Sequence, residues 1–124
     1  MRYLGFCLAA TMLLGIAGVD GVRADDTGFI DIHELRREGR LFCTANHSHV
    51  GTGKAQRTKK RAIRSAARDW SSFTAWEYGT DWGKWRYARS KYVSCDGPRG
   101  AIVCTVEARP CKPLRRRRAR RARR

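Results

Sequence analysis

The last thirteen residues of the chain are its densest group with a definite chemistry, which is the binding of anions. They hold nine positive charges and no negative one. Guanidinium groups stay charged at physiological pH and donate paired hydrogen bonds to phosphate, sulfate and carboxylate oxygens. Because like charges repel and few apolar side chains accompany them, residues 112–124 are predicted to form a disordered tail. The arginines of this tail are the first candidate contacts with a polyanion: Arg115, Arg116, Arg117, Arg118, Arg120, Arg121, Arg123 and Arg124.

A second row of cations lies between residues 54 and 68, where the chain has no acid. Residues three or four apart share one face of a helix, and five of these cations have that spacing. Solvated helix faces usually mix both signs of charge, so a face of one sign favours anion binding. Residues 25–111 carry 16 Lys and Arg against ten Asp and Glu, so this part is basic even without the tail. The candidate face consists of Arg57, Lys60, Arg61, Arg64 and Arg68.

Aromatic residues follow this row closely, and all four Trp of the chain lie within residues 70–87. Aromatic rings beside cations can stack on nucleobases or sugar rings, whereas a small domain also gains buried area from each Trp. Trp70 and Phe73 follow the helical period and are predicted to be core residues. Trp82 and Trp85 alternate with small and basic residues, so one of the two is predicted to be exposed. Both are candidate stacking residues.

Two histidines, His47 and His49, lie on one face of a predicted strand and resemble part of a metal site. A metal site needs a third ligand, and no carboxylate occurs within ten residues after His49. Both are therefore predicted to be surface histidines, with no metal and no cofactor, and His33 is distant in sequence. The acids, among them Glu77 and Asp81, are scattered, so no catalytic residue is assigned. The enzymatic alternative is a small hydrolase such as a ribonuclease, with His47 or His49 as acid and base.

The cysteines predict two disulfides. Cys7 falls in the N-terminal apolar run, and four cysteines follow it. Their spacings do not match a zinc knuckle, and an even number in a small exported domain favours disulfides. A hairpin folded at residues 99–100 brings Cys95 opposite Cys104, which leaves Cys43 for Cys111. The alternative, in which Cys43 joins the hairpin and Cys95 or Cys104 joins Cys111, stays open.

The N-terminal residues predict export of the protein to a periplasm or out of the cell. Arg2 precedes an apolar run at residues 4–19, and residues 22–24 suit a signal peptidase that cleaves after Ala24. The alternative is a membrane anchor, but about 16 apolar residues fall short of the roughly 20 that span a bilayer. We therefore divide the chain into a signal peptide (1–24), a single domain (25–111) and an arginine-rich tail (112–124).

The remaining patterns predict the elements that position these side chains. Residues 41–50 are typical of a strand, and residues 54–78 have the apolar period of one long helix. Thr52 is the predicted N-cap of this helix and Gly79 its stop. Residues 92–108 alternate around a turn and predict a hairpin. The predicted fold is a small disulfide-stapled α+β domain, with one long helix packed on a short antiparallel sheet that includes the C-terminal hairpin.

These features favour an exported, non-enzymatic cationic protein that binds anionic partners by charge neutralisation. Candidate partners are anionic lipid or lipopolysaccharide surfaces, acidic polysaccharide and nucleic acid, and no small-molecule cofactor is expected. The first alternative is a structural or protein-interaction domain of the cell envelope, in which the basic tail is incidental. The second alternative is the small hydrolase.

Overall fold

The structure is a computed structural model in which residues 26–114 are described. The predicted signal peptide and residues 115–124 of the predicted tail lie outside the described residues. Lys112 and Pro113, which were predicted to belong to the disordered tail, are part of a strand instead. The elements, in chain order, are a 3₁₀ helix (Gly28–Ile32), β1 (Leu35–Glu38), β2 (Leu41–Thr44), β3 (His49–Thr52), α1 (Lys59–Tyr78), a second 3₁₀ helix (Trp85–Tyr87), β4 (Arg89–Asp96), β5 (Val103–Arg109) and β6 (Cys111–Pro113).

The predicted α+β fold is confirmed, with one helix on small antiparallel sheets. There are two three-stranded sheets in the described chain, with strand orders β1-β2-β6 and β3-β5-β4. Helix α1 packs mainly on β3 and β5. None of the helices within residues 26–114 is long and apolar enough to cross a membrane.

The single strand predicted for residues 41–50 is wrong, because the chain changes sheets within it. β2 belongs to one sheet and β3 to the other, and a four-residue loop joins them. The hydroxyl of Thr44 donates to the carbonyl of His47 at 2.7 Å and closes this loop. This hydrogen bond holds the chain in a loop, so the strand that the sequence pattern predicts is interrupted there.

Helix α1 begins later than predicted and ends where predicted. The N-cap is Thr58, whose Oγ1 accepts a hydrogen bond from the backbone N–H of Arg61 at 3.3 Å. Thr52, the predicted cap, is the last residue of β3 instead. The chain between them stays non-helical, and Gln56 pairs with Ile102 as an isolated bridge. Gly79 has φ of +107° and ends the helix, as predicted.

Helix α1 lies directly against the backbone of β3. A Cβ atom on Gly51 would be 2.4 Å from the backbone nitrogen of Trp70, and one on Gly53 would be 2.6 Å from that of Ala66. The helix meets these glycines with small side chains, since Ala62 and Ala66 are fully buried. The two glycines therefore set a close distance between the helix and the strand.

The core is divided into three groups of buried side chains. The largest lies between α1 and the β3-β5-β4 sheet, where Trp70 is fully buried and its Nε1–H donates to the carbonyl of Ala108 at 3.2 Å. A second group joins Ile30, Tyr78 and Trp82 near the C-terminal end of α1. A third surrounds Leu41 and one disulfide. The prediction that Trp70 belongs to the core is confirmed.

Both predicted disulfides are present, and the alternative pairing is wrong. Cys95 lies directly opposite Cys104 in the β4–β5 hairpin. Cys43 lies directly opposite Cys111 in the pairing of β2 with β6. The second bridge joins residues 68 apart in sequence and so connects β2 with the last strand of the described chain.

Candidate anion-binding face and histidine cluster

The outer side of α1 carries the predicted basic face. Its buried residues occupy one side of the helix, and the cations occupy the side that faces solvent. Three of the five predicted arginines and lysines line a shared open cavity of about 360 Å³, namely Arg61, Arg64 and Arg68, together with Gln56 and Ser65. The other two, Arg57 and Lys60, are exposed at the start of the helix but are not among the lining residues.

The charge of this face is not compensated within residues 26–114. The ion pairs of that part of the chain use other cations, such as Arg36, Lys84 and Arg109. Asp69 is the nearest acid in sequence, and its Oδ2 accepts a hydrogen bond from the backbone N–H of Thr52 at 2.9 Å. Helix geometry spaces the cavity arginines over about 10 Å along the axis. Several guanidinium groups can therefore contact one anionic molecule at the same time.

The loop before α1 forms the other wall of the cavity. Ser65 Oγ accepts a hydrogen bond from the backbone N–H of Lys54 at 3.0 Å, and the bridge between Gln56 and Ile102 fixes the next residues. The cavity is therefore built by a helix and an anchored loop.

The predicted stacking residues have different surroundings. Trp82 is fully buried, and its Nε1–H donates to Asp26 Oδ1 at 2.7 Å, so its ring offers no face to a ligand. Trp85 is half-buried, packs edge-on against Trp70, and has the Lys91 ammonium 5.0 Å from its ring centroid.

Two aromatic side chains lie on the surface of α1, where the sequence had not placed them. Phe73 is 44 % exposed, so its predicted core position is wrong, and Trp76 is 75 % exposed. Their ring centroids are 6.1 Å apart, with an angle of 31° between the ring planes. The helical period could not distinguish Phe73 from a core residue, because it lies at the edge of the buried face, three residues after Trp70.

The structure also brings together three histidines that the sequence kept apart. The ring of His33 stacks on that of His47, with centroids 4.3 Å apart, and His47 contacts His49 at 5.0 Å. His33 follows the first 3₁₀ helix, His47 lies in the loop between β2 and β3, and His49 lies on β3. The prediction of surface histidines is wrong for His49, which is 3 % exposed.

His49 is held against the C-terminal half of α1. Its Nδ1 shares a hydrogen bond of 2.8 Å with the hydroxyl of Thr74. Its Nε2 lies 2.9 Å from Glu77 Oε2, but the two are not aligned for a hydrogen bond. Burial lowers the pKa of His49 to about 4, and the nearby His47 and His33 act in the same direction. Burial therefore outweighs the attraction of the carboxylate, and at neutral pH a neutral imidazole faces Glu77.

Tyr78 completes the cluster from the end of α1. Its hydroxyl lies 2.7 Å from His33 Nε2, and burial, with a smaller effect of Glu77, raises its pKa well above the usual 10. The hydroxyl keeps its proton and can donate a hydrogen bond to Nε2 of His33. The pKa of His47 is also lowered, first by burial and then by His33. No group of three or more His, Cys, Asp or Glu in the described chain is arranged to hold a metal ion.

The cluster predicts a loss of stability in acid. The unfolded chain takes up protons on His49 near pH 6.5, whereas the folded chain does so only near pH 4. The contribution of this histidine to the free energy of unfolding is therefore at its maximum above pH 6.5. It falls by about 3 kcal/mol as the pH drops to 4.

Urea unfolding at pH 7 and pH 4 measures this loss. The His49→Asn variant keeps a polar partner for Thr74 and is expected to lose about 3 kcal/mol less than the wild type over that interval. Comparison with the variant is needed because other groups also titrate, among them Glu38, whose pKa is lowered chiefly by its hydrogen bond with Arg109. Equal losses in the two proteins would show that His49 is not the group responsible.

The comparisons with known proteins give no relative. No protein-family model matches the chain, and neither a curated protein nor a solved structure shows significant similarity to it.

Proposed function

We propose that this chain is an exported, non-enzymatic protein that binds anionic polymers or surfaces through the outer face of α1. One observation carries the proposal: Arg61, Arg64 and Arg68 line one cavity, and no ion pair within residues 26–114 neutralises them. The two disulfides and the lack of a spanning helix among the described residues are compatible with export.

The physical basis of binding is multivalent charge neutralisation. Guanidinium groups donate in pairs to phosphate, sulfate or carboxylate oxygens, and a row of them releases counterions from a polymer. Arg57 and Lys60 extend this row at the start of α1, and the arginines of residues 115–124 add further charge. The candidate partners are anionic lipid or lipopolysaccharide surfaces, acidic polysaccharide and nucleic acid.

The test compares two triple variants of equal net charge in the oxidised protein. One carries Arg61→Gln, Arg64→Gln and Arg68→Gln, and the other changes three exposed arginines elsewhere, namely Arg37, Arg40 and Arg99. On duplex DNA, each lost phosphate contact reduces the slope of log K against log salt by about 0.9. The first variant is expected to lower that slope by roughly two to three and the control by less than one.

A panel of ligands then separates specific from generic binding. Anionic vesicles, lipopolysaccharide, acidic polysaccharide, RNA and DNA are each titrated at two salt concentrations. A chain that lacks residues 115–124 shows how much of the binding affinity comes from the tail. If both triple variants lose the same affinity for every ligand, the face is not a site. If the wild type binds none of them, the envelope-interaction alternative is favoured.

A small hydrolase is the second candidate, because His33, His47 and His49 lie together with Glu77. His47 is half-buried and has a lowered pKa, so it is neutral at pH 7 and can accept a proton. RNA cleavage by the wild type that is lost in His47→Ala would support this candidate. A protein that only binds its partner should keep its affinity in the same variant.

A further inference from the structure

The β3-β5-β4 sheet has an outer face that points away from α1 and is open to solvent. Cys104 and Val106 of β5 are buried in the core that α1 covers, so the residues that alternate with them point outward. Residues directly opposite each other in an antiparallel sheet share a face. The outer face therefore has three rows, which are Val50, Glu107 and Tyr92, then Thr52, Thr105 and Ser94, then Val103 and Asp96.

The middle row of the outer face is a line of hydroxyl groups. Thr52 Oγ1 and Thr105 Oγ1 share a hydrogen bond of 3.2 Å, and Ser94 lies opposite Thr105 on the next strand. Neighbouring strands are about 4.8 Å apart, so the row is about 10 Å long. Because a hydroxyl both donates and accepts hydrogen bonds, this row matches a ligand that is itself rich in hydroxyls.

An open cavity of about 370 Å³ lies at the hairpin end of the outer face. Its lining residues are Ser94, Asp96, Gly97, Val103 and Thr105. Asp96 Oδ1 accepts a hydrogen bond from the backbone N–H of Gly97 at 2.7 Å, which orients the carboxylate. The other oxygen of this carboxylate has no hydrogen-bond partner within residues 26–114, so it can accept from a ligand.

Tyr92 places an aromatic ring next to this cavity. It lies two residues before Ser94 on β4, about 7 Å away along the strand, and is 65 % exposed. The face of an aromatic ring is electron-rich and attracts the C–H groups of a sugar ring, which neighbouring oxygens polarise. From Tyr92 to Asp96 the strand extends about 14 Å, which exceeds the length of one sugar ring.

The outer face has no Lys or Arg, although the whole chain has a net charge of +16. Its charged residues are Glu107 and Asp96, and neither forms an ion pair in the described chain. The next pair along the strands is Arg89 with Arg109, and the Arg109 guanidinium donates to Glu38 instead. The outer face therefore does not favour an anion, in contrast to the arginine cavity on α1.

We propose that the outer face binds a neutral oligosaccharide, with sugar hydroxyls on the middle row and Asp96 and one sugar ring stacked on Tyr92. This inference goes beyond the proposed function, because it uses the side of the sheet that α1 does not cover. A sugar offers both hydroxyls and apolar C–H faces, which are the partners that this surface lacks. A cationic peptide fits less well, because Glu107 and Asp96 lie in different rows with the hydroxyls between them.

The experiment titrates neutral tetrasaccharides into the full oxidised chain in a calorimeter. The probes are cellotetraose, maltotetraose and the tetramer of N-acetylglucosamine, each in low salt and in about 1 M salt, where the Debye length is about 3 Å. At least one probe is expected to bind equally well at both salt concentrations, because no charge is neutralised. Tyr92→Ala is expected to weaken this binding about tenfold, and Tyr92→Phe to keep most of it. Thr105→Val keeps the side-chain shape and is expected to weaken it about fivefold.

The matched control is Trp76→Ala, which removes an aromatic side chain that is 75 % exposed on α1. It is expected to leave the affinity for the saccharide unchanged. Urea unfolding of each variant shows that a weaker affinity does not come from a loss of folded protein.

The outcomes separate this inference from the proposed function. If none of the three saccharides binds, or if Tyr92→Ala binds as the wild type does, the inference is overturned and the arginine face is unaffected. Binding that disappears in high salt and in the Arg61, Arg64 and Arg68 triple variant would place the sugar on α1 and overturn it as well. Binding of a lysine-rich peptide in place of the saccharides would also overturn it. Saccharide binding by a chain that binds no anionic polymer would support the inference and overturn the proposed function alone.

Discussion

Removal of the Cys43–Cys111 disulfide is expected to lower the free energy of unfolding by about 4 kcal/mol. The bridge closes a loop of 68 residues, so the unfolded chain without it gains much conformational freedom. The Cys95–Cys104 bridge spans nine residues, and its loss is expected to cost about 2.5 kcal/mol. The long bridge should therefore matter more, although both join directly opposed residues of antiparallel strands.

The measurement is urea unfolding of two double variants. Cys43→Ala with Cys111→Ala tests the long bridge, and Cys95→Ala with Cys104→Ala is the matched control, since each removes one pair. A larger loss in the hairpin variant would contradict the dependence on loop length. It would assign the stabilisation to local packing instead.

Replacement of Gly51 by Ala is expected to destabilise the domain by about 3 kcal/mol or more. The added methyl group would lie 2.4 Å from the backbone nitrogen of Trp70 and 2.6 Å from the carbonyl oxygen of Ala66. Neither atom belongs to a flexible side chain, so the whole of α1 must move away from β3. Such a shift also opens the packing around the buried Trp70.

The control for this variant is Gly28→Ala. No atom lies within 4 Å of the position that its Cβ would take, so its effect should stay within about 0.5 kcal/mol. Thermal unfolding of both variants, with near-ultraviolet circular dichroism to monitor the tryptophans, decides the point. If Gly51→Ala unfolds like the wild type, the helix is not held as closely as we describe.

The sequence predicted those parts of the fold that depend only on residues close together in the chain. Strand alternation around the turn at residues 97–100 places Cys95 opposite Cys104. The buried face of α1 and its end at Gly79 follow from helical period and backbone conformation. The predicted start of α1 was wrong because Thr52 and Thr58 are equally good N-cap residues when only the local sequence is considered. Pairing of β3 with β5 holds Thr52 in a strand, which leaves the cap to Thr58.

The candidate sites were predictable to the extent that one helix contains them. Arg61, Arg64 and Arg68 share a face by spacing alone, and the structure places them around one cavity. The histidine cluster could not be predicted, because His33 and His47 meet only when the first 3₁₀ helix and the loop after β2 pack near Tyr78. The exposure of Trp76 likewise depends on how much of the helix the sheet covers.

The close seating of α1 on β3 bears on the thermodynamics of recognition. A helix that rests on strand backbone cannot roll or slide without overlapping atoms, so the Cα positions of its arginines are fixed relative to one another. Binding then has to order only the ends of those side chains and loses less conformational entropy than a flexible segment of equal charge. If the proposed function is correct, α1 is therefore expected to distinguish anionic polymers by the spacing of their charges as well as by their charge density.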